Sequence, residues 1–193
     1  MIDIVGQAPN VILSGYQVTL EPLAEADIMQ LRAWRNSDFI RQKMVSSDTI
    51  TEAQQRAWFS KVQADLHQTH WIVRYKGKPI GATNLKTLAD DSAASVFNAD
   101  VVEPGLYIGD PAYQGNILAF APTLVLYDYC FDCLKINALQ ATVKADNRSA
   151  LNYNEKLGYE TVTHSDDGHW VTLRITHKGY EEATSTIKRF LSR

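Results

Sequence analysis

The sequence predicts a single α+β domain. Its 193 residues contain no linker rich in proline, glycine or serine and no dividing block of charge, so residues 1–193 are expected to form one domain. The core should span about residues 17–176, followed by a C-terminal helix over 177–193. The local patterns follow the order strand, two helices, three strands, a long helix, a strand, a helix and two strands. Hairpin turns join several of these strands, which indicates antiparallel pairing.

The first half of the chain contains strands and two helices. Alternating or β-prone residues predict an edge hairpin over residues 2–5 and 11–13, and strands over 17–22, 70–75 and 80–88. Helical spacing predicts one helix from Ile28 to about Asn36, and a second that Thr49 or Thr51 caps and that ends near Leu66. Asp90-Asp91-Ser92 is the next turn. A strand over 95–108 is interrupted at Glu103-Pro104-Gly105, where a bulge or a splayed strand frees backbone groups for a ligand.

The stretch from Gly105 to Ala119 is the centre of the predicted site. A β-prone run, Leu106-Tyr107-Ile108, leads into the turn residues Gly109-Asp110-Pro111, and an apolar stripe from Ile117 to Leu134 predicts one long helix. Free N–H groups at a helix start attract phosphate, because the donors and the positive end of the helix dipole point the same way. A plain connection is the alternative, since many such junctions bind nothing.

The second half ends in a hairpin and an amphipathic tail. Residues 138–143 form a predicted strand, and Asp146 or Asn147 caps a helix that ends at Leu157, before Gly158. Residues 159–164 and 169–176 form a hairpin. A tail helix from Tyr180 onward should pack on the domain or on another subunit, which allows a homodimer.

Composition argues against several classes of site. A net charge of -3 gives no overall field that attracts nucleic acid, and no apolar run could span a membrane, so we expect a soluble cytoplasmic protein without nucleic-acid or membrane partners. Cys130 and Cys133 could be a redox pair or half a metal site, but burial as small apolar helix residues is favoured. His67 and His70 have no acidic third ligand nearby, so no metal is predicted.

Several phrases, in this order, resemble the GNAT acetyltransferase superfamily over roughly residues 17–176. They are Leu31-Arg32-Ala33-Trp34-Arg35-Asn36, Ile50-Thr51-Glu52-Ala53-Gln54-Gln55-Arg56-Ala57-Trp58-Phe59, Gly105-Leu106-Tyr107-Ile108-Gly109-Asp110-Pro111, Ala145-Asp146-Asn147-Arg148-Ser149-Ala150 and Glu155-Lys156-Leu157-Gly158-Tyr159. The resemblance implies a mixed, mostly antiparallel sheet that is splayed in the middle, with helices on both faces. It also implies transfer of an acetyl group from acetyl-CoA to a small-molecule primary amine.

The resemblance further implies where acetyl-CoA lies. In the family a splayed strand hydrogen-bonds the pantetheine arm, the next turn wraps the diphosphate, and a later helix adds polar contacts. The corresponding positions here are Leu106, Tyr107, Ile108, Gln114, Gly115, Asn116, Ile117, Leu118, Ala119, Asn147 and Asn154. A backbone N–H near 106–108 would stabilise the carbonyl oxygen as it becomes anionic. Glu103 is the candidate general base, and a salt bridge at the rim is its alternative role.

Two departures from the family pattern concern this site. Ile117 stands where the turn usually has its middle glycine, and Pro122 implies a helix that starts late or kinks. Asn154 stands where relatives commonly place a tyrosine that protonates the departing sulfur. Tyr153, one residue earlier and about 100° away around the helix, is either that acid or a packing residue. Asn154 can donate a hydrogen bond to the sulfur but is no acid.

A basic cluster in the first half predicts the charge of the acceptor. Arg32, Arg35, Arg41 and Lys43 form either a solvated face or a receiver of anions, and Arg32, Trp34, Arg35, Asn36 and Arg41 are the predicted acceptor site. The first two phrases look most like the branch that acetylates nucleotide-linked deoxyaminosugars. Ribosomal-protein N-terminal and polyamine acetyltransferases are alternatives, although their basic acceptors should prefer an acidic lining. A CoA-binding module without catalysis and a structural partner that uses the tail helix are further alternatives.

Overall fold

The described part of the chain folds as one nine-stranded sheet with helices on both faces. The computed structural model describes residues 2–42, 44, 46–89 and 95–193. The strands are β1 (Asp3–Val5), β2 (Ile12–Gly15), β3 (Val18–Pro22), β4 (Gln68–Tyr75), β5 (Lys78–Thr87), β6 (Val101–Ile108), β7 (Ala138–Lys144), β8 (Glu160–His164) and β9 (Trp170–Thr176). The helices are α1 (Ile28–Asn36), α2 (Asp38–Arg41), α3 (Glu52–Gln63), α4 (Ala121–Asp128), α5 (Arg148–Leu157) and α6 (His177–Leu191).

The strands lie in the order β1-β2-β3-β4-β5-β6-β7-β9-β8. Neighbouring strands are antiparallel except β6 and β7, which run parallel. Within the described residues, this parallel pair is joined only at Val101 with Ala138 and at Val102 with Leu139. The two strands then separate, as the interruption at Glu103-Pro104-Gly105 predicted. The mixed, mostly antiparallel sheet confirms the predicted fold class.

Each face of the sheet is covered by different helices. The main apolar core joins one face to α4, α5 and α6, with fully buried residues such as Leu124, Leu139 and Leu157. A smaller cluster places Leu31 and Trp34 of α1 on Ile72 and Ala82 of the opposite face, and α3 packs beside it. Apolar burial on both faces therefore holds the sheet between two layers of helices. No helix in the described residues is long and apolar enough to cross a membrane.

The caps resolve two choices that the sequence left open. The Thr51 hydroxyl accepts from the Gln54 N–H at 3.2 Å at the start of α3. Asn147 Oδ1 accepts from the Ala150 N–H at 3.1 Å at the start of α5. Each side chain satisfies a backbone donor that the first helical turn leaves unpaired.

Several predicted boundaries were wrong. The strand predicted over 95–108 is β6 alone, because residues 95–98 form a turn in which Asn98 Oδ1 accepts from the Ser95 N–H. The single long helix is broken into a 3₁₀ turn (Ile117–Phe120), α4 and a π turn (Tyr129–Cys133). The second helix ends at Gln63, and the short α2 was not predicted. The C-terminal helix, by contrast, begins at His177, within the predicted range 177–193. Cys130 is buried as expected but Cys133 is exposed. The turn predicted at Asp90-Asp91-Ser92 lies outside the described residues.

Candidate active site

A cavity of about 700 Å³ occupies the gap between β6 and β7. One edge of β6 is fully paired to β5, from Val102 opposite Thr87 to Ile108 opposite Gly81. In the described structure, its other edge has no β7 partner beyond Val102. Because Pro104 has no N–H, it cannot help to close the ladder. The main chain of residues 103–108 is therefore exposed to the cavity along one edge.

The turn after β6 presents main-chain donors at one end of the cavity. Two side chains hold the turn in place. Gln114 Nε2 donates to the Ile108 carbonyl at 2.9 Å, and Asn116 Oδ1 accepts from the Leu118 N–H at 2.9 Å. Within the described part of the chain, the N–H groups of Gly115, Asn116 and Ile117 donate no hydrogen bond. Three unpaired donors ahead of a helix form a site suited to an anion.

The conformation of this turn accounts for the departure at Ile117. The left-handed residue is Gly115, with φ of +73° and open space where a side chain would be, whereas φ of Ile117 is not positive. The Ile117 side chain is 44% exposed and does not line the cavity. The loop thus bends two residues earlier than the family pattern implies. Pro122 is the second residue of α4, a position that needs no N–H, so the helix starts late and is not kinked there.

Glu103 lines the cavity and is half-buried. Burial raises the pKa of its carboxyl group, and the nearby Lys86 ammonium, on the residue directly opposite in β5, partly offsets this. Among the described residues the carboxylate forms no ion pair within 4.0 Å, so the alternative role as a rim salt bridge gains no support. A carboxylate with a raised pKa is a better proton acceptor than an ordinary glutamate.

Tyr153 and Asn154 both line the cavity from α5. The Tyr153 hydroxyl shares a 2.6 Å hydrogen bond with Thr123 and donates to the Ala119 carbonyl at 3.2 Å, while its ring stacks on Phe120 at 4.6 Å. Burial raises the pKa of this phenol, which makes it a weaker acid. Asn154 Nδ2 donates to the Ala150 carbonyl at 2.9 Å, which leaves its second N–H available.

A family model for the acetyltransferase (GNAT) domain matches residues 17–160. The chain belongs to the GNAT family. As a GNAT protein it is an N-acetyltransferase that takes its acetyl group from acetyl-CoA. The chain is similar along most of its length to two curated N-acetyltransferases and to one of known structure.

An N-acetyltransferase 9-like protein of Nematostella vectensis is 23% identical over 186 residues, with 92% of each chain covered. Alpha/beta-tubulin-N-acetyltransferase 9 of Homo sapiens is 25% identical over 194 residues, covering 93% of this chain and 92% of that protein. The aminoglycoside acetyltransferase AAC(6')-Ib, solved with ribostamycin and coenzyme A, superimposes with a TM-score of 0.71 at 23% identity. The match covers 86% of this chain and 96% of the AAC(6')-Ib chain. That structural likeness shows the fold.

The GNAT site in this chain fits acetyl-CoA. The unpaired N–H groups of residues 115–117 suit a diphosphate, and the free edge of β6 suits an extended arm that carries amide groups. Most of the sequence-predicted contacts lie around this cavity: Leu106, Tyr107, Ile108, Gln114, Gly115, Asn116, Ala119, Asn147 and Asn154. Ile117 and Leu118 do not line it. In the described residues, no three His, Cys, Asp or Glu side chains converge on a metal-sized site.

The predicted acceptor residues lie beside the cavity and do not line it. Arg32 Nε and Asn36 Nδ2 both donate to the Ile50 carbonyl, at 2.8 and 2.9 Å, and so hold the loop before α3. Arg41 pairs with Asp38 at 2.7 Å. Lys43 lies outside the described residues. Three of the predicted side chains therefore make contacts within the fold.

Arg35 and Arg41 of this group, and Tyr107 of β6, each keep a buried polar atom without a hydrogen-bond partner in the described structure; in Arg41 it is Nε. Arg35 Nη1 and Tyr107 Oη are both buried, and neither has a hydrogen-bond partner in the described structure. Arg35 is close enough to lower the pKa of Tyr107, although burial raises that pKa by more. The Trp34 indole meets the Tyr107 ring edge-to-face at 6.5 Å, and a Cβ on Gly109 would lie 2.1 Å from the same indole. Two nearby buried donors that no described protein group satisfies are suited to a polar group of a ligand.

The sequence missed several side chains that line the cavity. They are Phe39, Ile40, Met44, Thr83, Thr123, Tyr127, Lys144 and Trp170. Ala119, Thr123 and Tyr127 recur every fourth residue, so helical spacing could have placed them on one side of α4. Lys144 and Trp170 are 26 positions apart and meet only through the pairing of β7 with β9.

Proposed function

We propose that this GNAT N-acetyltransferase acetylates a primary amine on an acceptor that carries an anionic group, and that the acceptor is a nucleotide-linked deoxyaminosugar. The observation that carries the proposal is a buried pair of unpartnered donors, Arg35 Nη1 and Tyr107 Oη. Tyr107 belongs to β6, the strand that also holds Glu103. A fixed guanidinium next to a phenol suits a phosphate or carboxylate oxygen.

The turn and the free strand edge would hold acetyl-CoA. We assign the N–H groups of Gly115, Asn116 and Ile117 to the diphosphate, with Gln114, Leu118 and Ala119 completing the turn. The free edge of β6 at Leu106, Tyr107 and Ile108 takes the pantetheine arm, and Asn147 lines the same channel. Acetyl-CoA, once bound, supplies an activated thioester carbonyl. A main-chain N–H of residues 106–108 is then positioned to donate to the carbonyl oxygen as negative charge develops there.

Glu103 would act as the general base. It accepts a proton from the acceptor ammonium, directly or through one water, so that the neutral amine can attack the carbonyl carbon. The carbon–sulfur bond then breaks, and the second proton that the nitrogen loses on becoming an amide passes to the departing thiolate, so that CoA is released as the thiol. Asn154 offers its free N–H to the departing sulfur, which leaves readily as a thiolate because the pKa of a thiol is near 8.5. Tyr153 is the other candidate in this role, but its occupied hydroxyl and raised pKa favour a packing role.

The charges around the site bear on the acceptor. Of the basic cluster, Arg32 and Arg41 form bonds within the protein, although Arg41 Nε has no partner in the described structure. We assign Arg35 as the guanidinium that an acceptor uses, because its unpartnered Nη1 lies near the unpartnered Tyr107 hydroxyl. A buried positive charge near the amine would repel a polyamine or a basic ribosomal tail. A second candidate acceptor is the N-terminal amine of a protein. A relative similar over 93% of this chain is named Alpha/beta-tubulin-N-acetyltransferase 9, which supports a protein acceptor. A homodimer and a cytoplasmic location remain predictions.

An acceptor panel tests this function. Release of free CoA should be measured with nucleotide-linked 4-amino-deoxysugars, the same sugars without nucleotide, N-terminal peptides with acidic or neutral second residues, and spermidine. We expect the nucleotide-linked sugars to give the highest kcat/KM. Arg35→Gln should raise the acceptor KM, whereas Arg56→Gln removes a surface charge from α3 and should leave it unchanged.

Four results would count against the proposal. Faster acetylation of peptides would favour the N-terminal candidate, and faster acetylation of spermidine would reject an anionic acceptor. A melting temperature that rises with acetyl-CoA, combined with no CoA release on any acceptor, would indicate a binding module that has lost catalysis. No rise with acetyl-CoA would reject the assigned donor site.

A further inference from the structure

In the described residues, neither hydrophobic cluster covers one face of β7 and β9, in the half of the sheet beyond the gap. In β7 and β9, the core side carries Leu139, Ala141, Val143, Val171, Leu173 and Ile175. The other side carries Gln140, Thr142, Lys144, Trp170, Thr172 and Arg174, because side chains alternate along a strand. Among the described residues, the cluster that α1 and α3 form on this side includes residues of β4 and β5 and Tyr107 of β6, but none of β7 or β9.

Because side chains alternate along a strand, Glu103 lies on the same side of the sheet as Gln140, Thr142 and Lys144. Val102 pairs with Leu139, and both belong to the main core, so Glu103 and Gln140 point to the opposite face together. Lys144 lies four residues beyond Gln140, which is roughly 13 Å along the strand at ~3.3 Å per residue. The face therefore extends from the candidate base toward the open end of the gap. The α4 end of the cavity, with its unpaired N–H groups, belongs to the other face.

Trp170 and Lys144 stand together at that open end. They are direct partners in the β7–β9 pairing, and Lys144 Nζ lies 5.9 Å from the centre of the Trp170 ring. Both line the cavity and both are partly exposed. A separation of 5.9 Å is at the far limit of a cation–π contact, so the ammonium can move to a phosphate at little cost. An aromatic face and a lysine side by side match a base and its phosphate.

We propose that Trp170 and Lys144 form the subsite for the nucleotide end of the acceptor. The indole stacks the base, the ammonium pairs with the diphosphate, and the sugar spans the distance back to Glu103. This inference rests on the proposed function, since it places the remote part of that same acceptor. Neither residue contacts the reacting atoms, so both determine specificity through binding.

The test is nucleotide binding without chemistry. Uridine diphosphate is titrated calorimetrically into the full chain saturated with CoA, so that the CoA site is already filled. We expect Trp170→Ala to weaken binding about 5- to 150-fold, the range for one base stacked on one aromatic ring. Trp170→Phe keeps a stacking face and should restore most of the affinity. Lys144→Met should weaken binding about 10-fold and reduce its dependence on salt, whereas Lys178→Met on exposed α6 should change nothing.

Three outcomes would overturn the subsite: no binding of uridine diphosphate to the CoA-saturated wild type, equal binding to wild type and Trp170→Ala, or an equal loss of CoA affinity in Trp170→Ala. The proposed function fails separately. If uridine diphosphate binds through Trp170 but nucleotide-linked sugars cause no release of CoA, the nucleotide subsite is supported and the proposed acetylation of these sugars is rejected. Acetylation of those sugars with unchanged kcat/KM in Trp170→Ala would keep the function and reject the subsite.

Discussion

Asp128 is the residue whose replacement should most disturb the attachment of the tail helix. Its carboxylate is 5% exposed at the end of α4 and accepts from the hydroxyls of Tyr16 and Tyr180, at 2.5 and 2.7 Å. Lys188 Nζ lies 2.8 Å from the same carboxylate and also pairs with Glu181. One buried charge thus joins the segment before β3, α4 and α6. Asp128→Asn keeps the shape and removes the charge.

The expected loss follows from what each partner retains. Removing one member of a buried ion pair typically costs about 3–5 kcal/mol. Glu181 still faces the Lys188 ammonium and the new amide oxygen still accepts one hydroxyl, so the lower value, about 3 kcal/mol, applies. At ~2–4 °C per kcal/mol for a domain of this size, the melting temperature should fall by roughly 6–12 °C.

Scanning calorimetry at pH 7 measures this fall. Asp132→Asn is the matched control, because Asp132 is 56% exposed and, among the residues that the structure describes, its one ion pair is with His177, at 3.4 Å. A double-mutant cycle with Lys188→Met isolates the coupling between the two charges, which should exceed about 1 kcal/mol. A melting temperature within about 2 °C of wild type for Asp128→Asn would refute the reasoning. The KM for acetyl-CoA, measured well below the melting temperature, should not change.

Three further predictions concern the site and its surroundings. Glu103→Gln should lower kcat/KM roughly 10²- to 10⁴-fold and remove its acid limb, which lies above the usual pKa of glutamate. Because burial raises the pKa of Glu103 in the folded state, its charge opposes folding at neutral pH, so the same variant should melt no lower than wild type. Burial lowers the pKa of His70 from 6.5 to about 4. The free energy of unfolding should therefore decline by up to roughly 3 kcal/mol as the pH falls from 6.5 toward 4, and His70→Gln should make it depend less on pH in that range. Gly115→Ala should raise the KM for acetyl-CoA about 5- to 30-fold through ~1–2 kcal/mol of left-handed strain, whereas Ile117→Gly should not lower it.

Each of these has a readout that would contradict it. An acid limb that persists in Glu103→Gln would assign the titration to another group. An unchanged stability slope in His70→Gln would show that other groups dominate below pH 6.5. Equal KM values for wild type and Gly115→Ala would mean that the turn does not hold the diphosphate. For Gly115→Ala, kcat serves as the internal control, because a distorted turn should impair binding more than chemistry.

Local patterns in the sequence predicted most of the helices and strands. Helical and alternating spacing located most elements, and the proline and glycine at 104 and 105 marked where β6 leaves the ladder. These predictions succeed because each depends on residues a few positions apart, whose backbone preferences and caps act locally. The turn at 114–119 was located for the same reason, although its left-handed residue was not.

Only the tertiary structure decided which charged groups have partners and which distant residues meet. Arg32, Arg35 and Arg41 look alike in the sequence, yet Arg32 bonds to the Ile50 carbonyl, Arg41 pairs with Asp38 but leaves its buried Nε without a partner, and Arg35 leaves Nη1 without one. Lys144 and Trp170 become neighbours through the pairing of two strands. Such contacts depend on long-range register, which many side-chain contacts set together and which no short stretch of sequence contains.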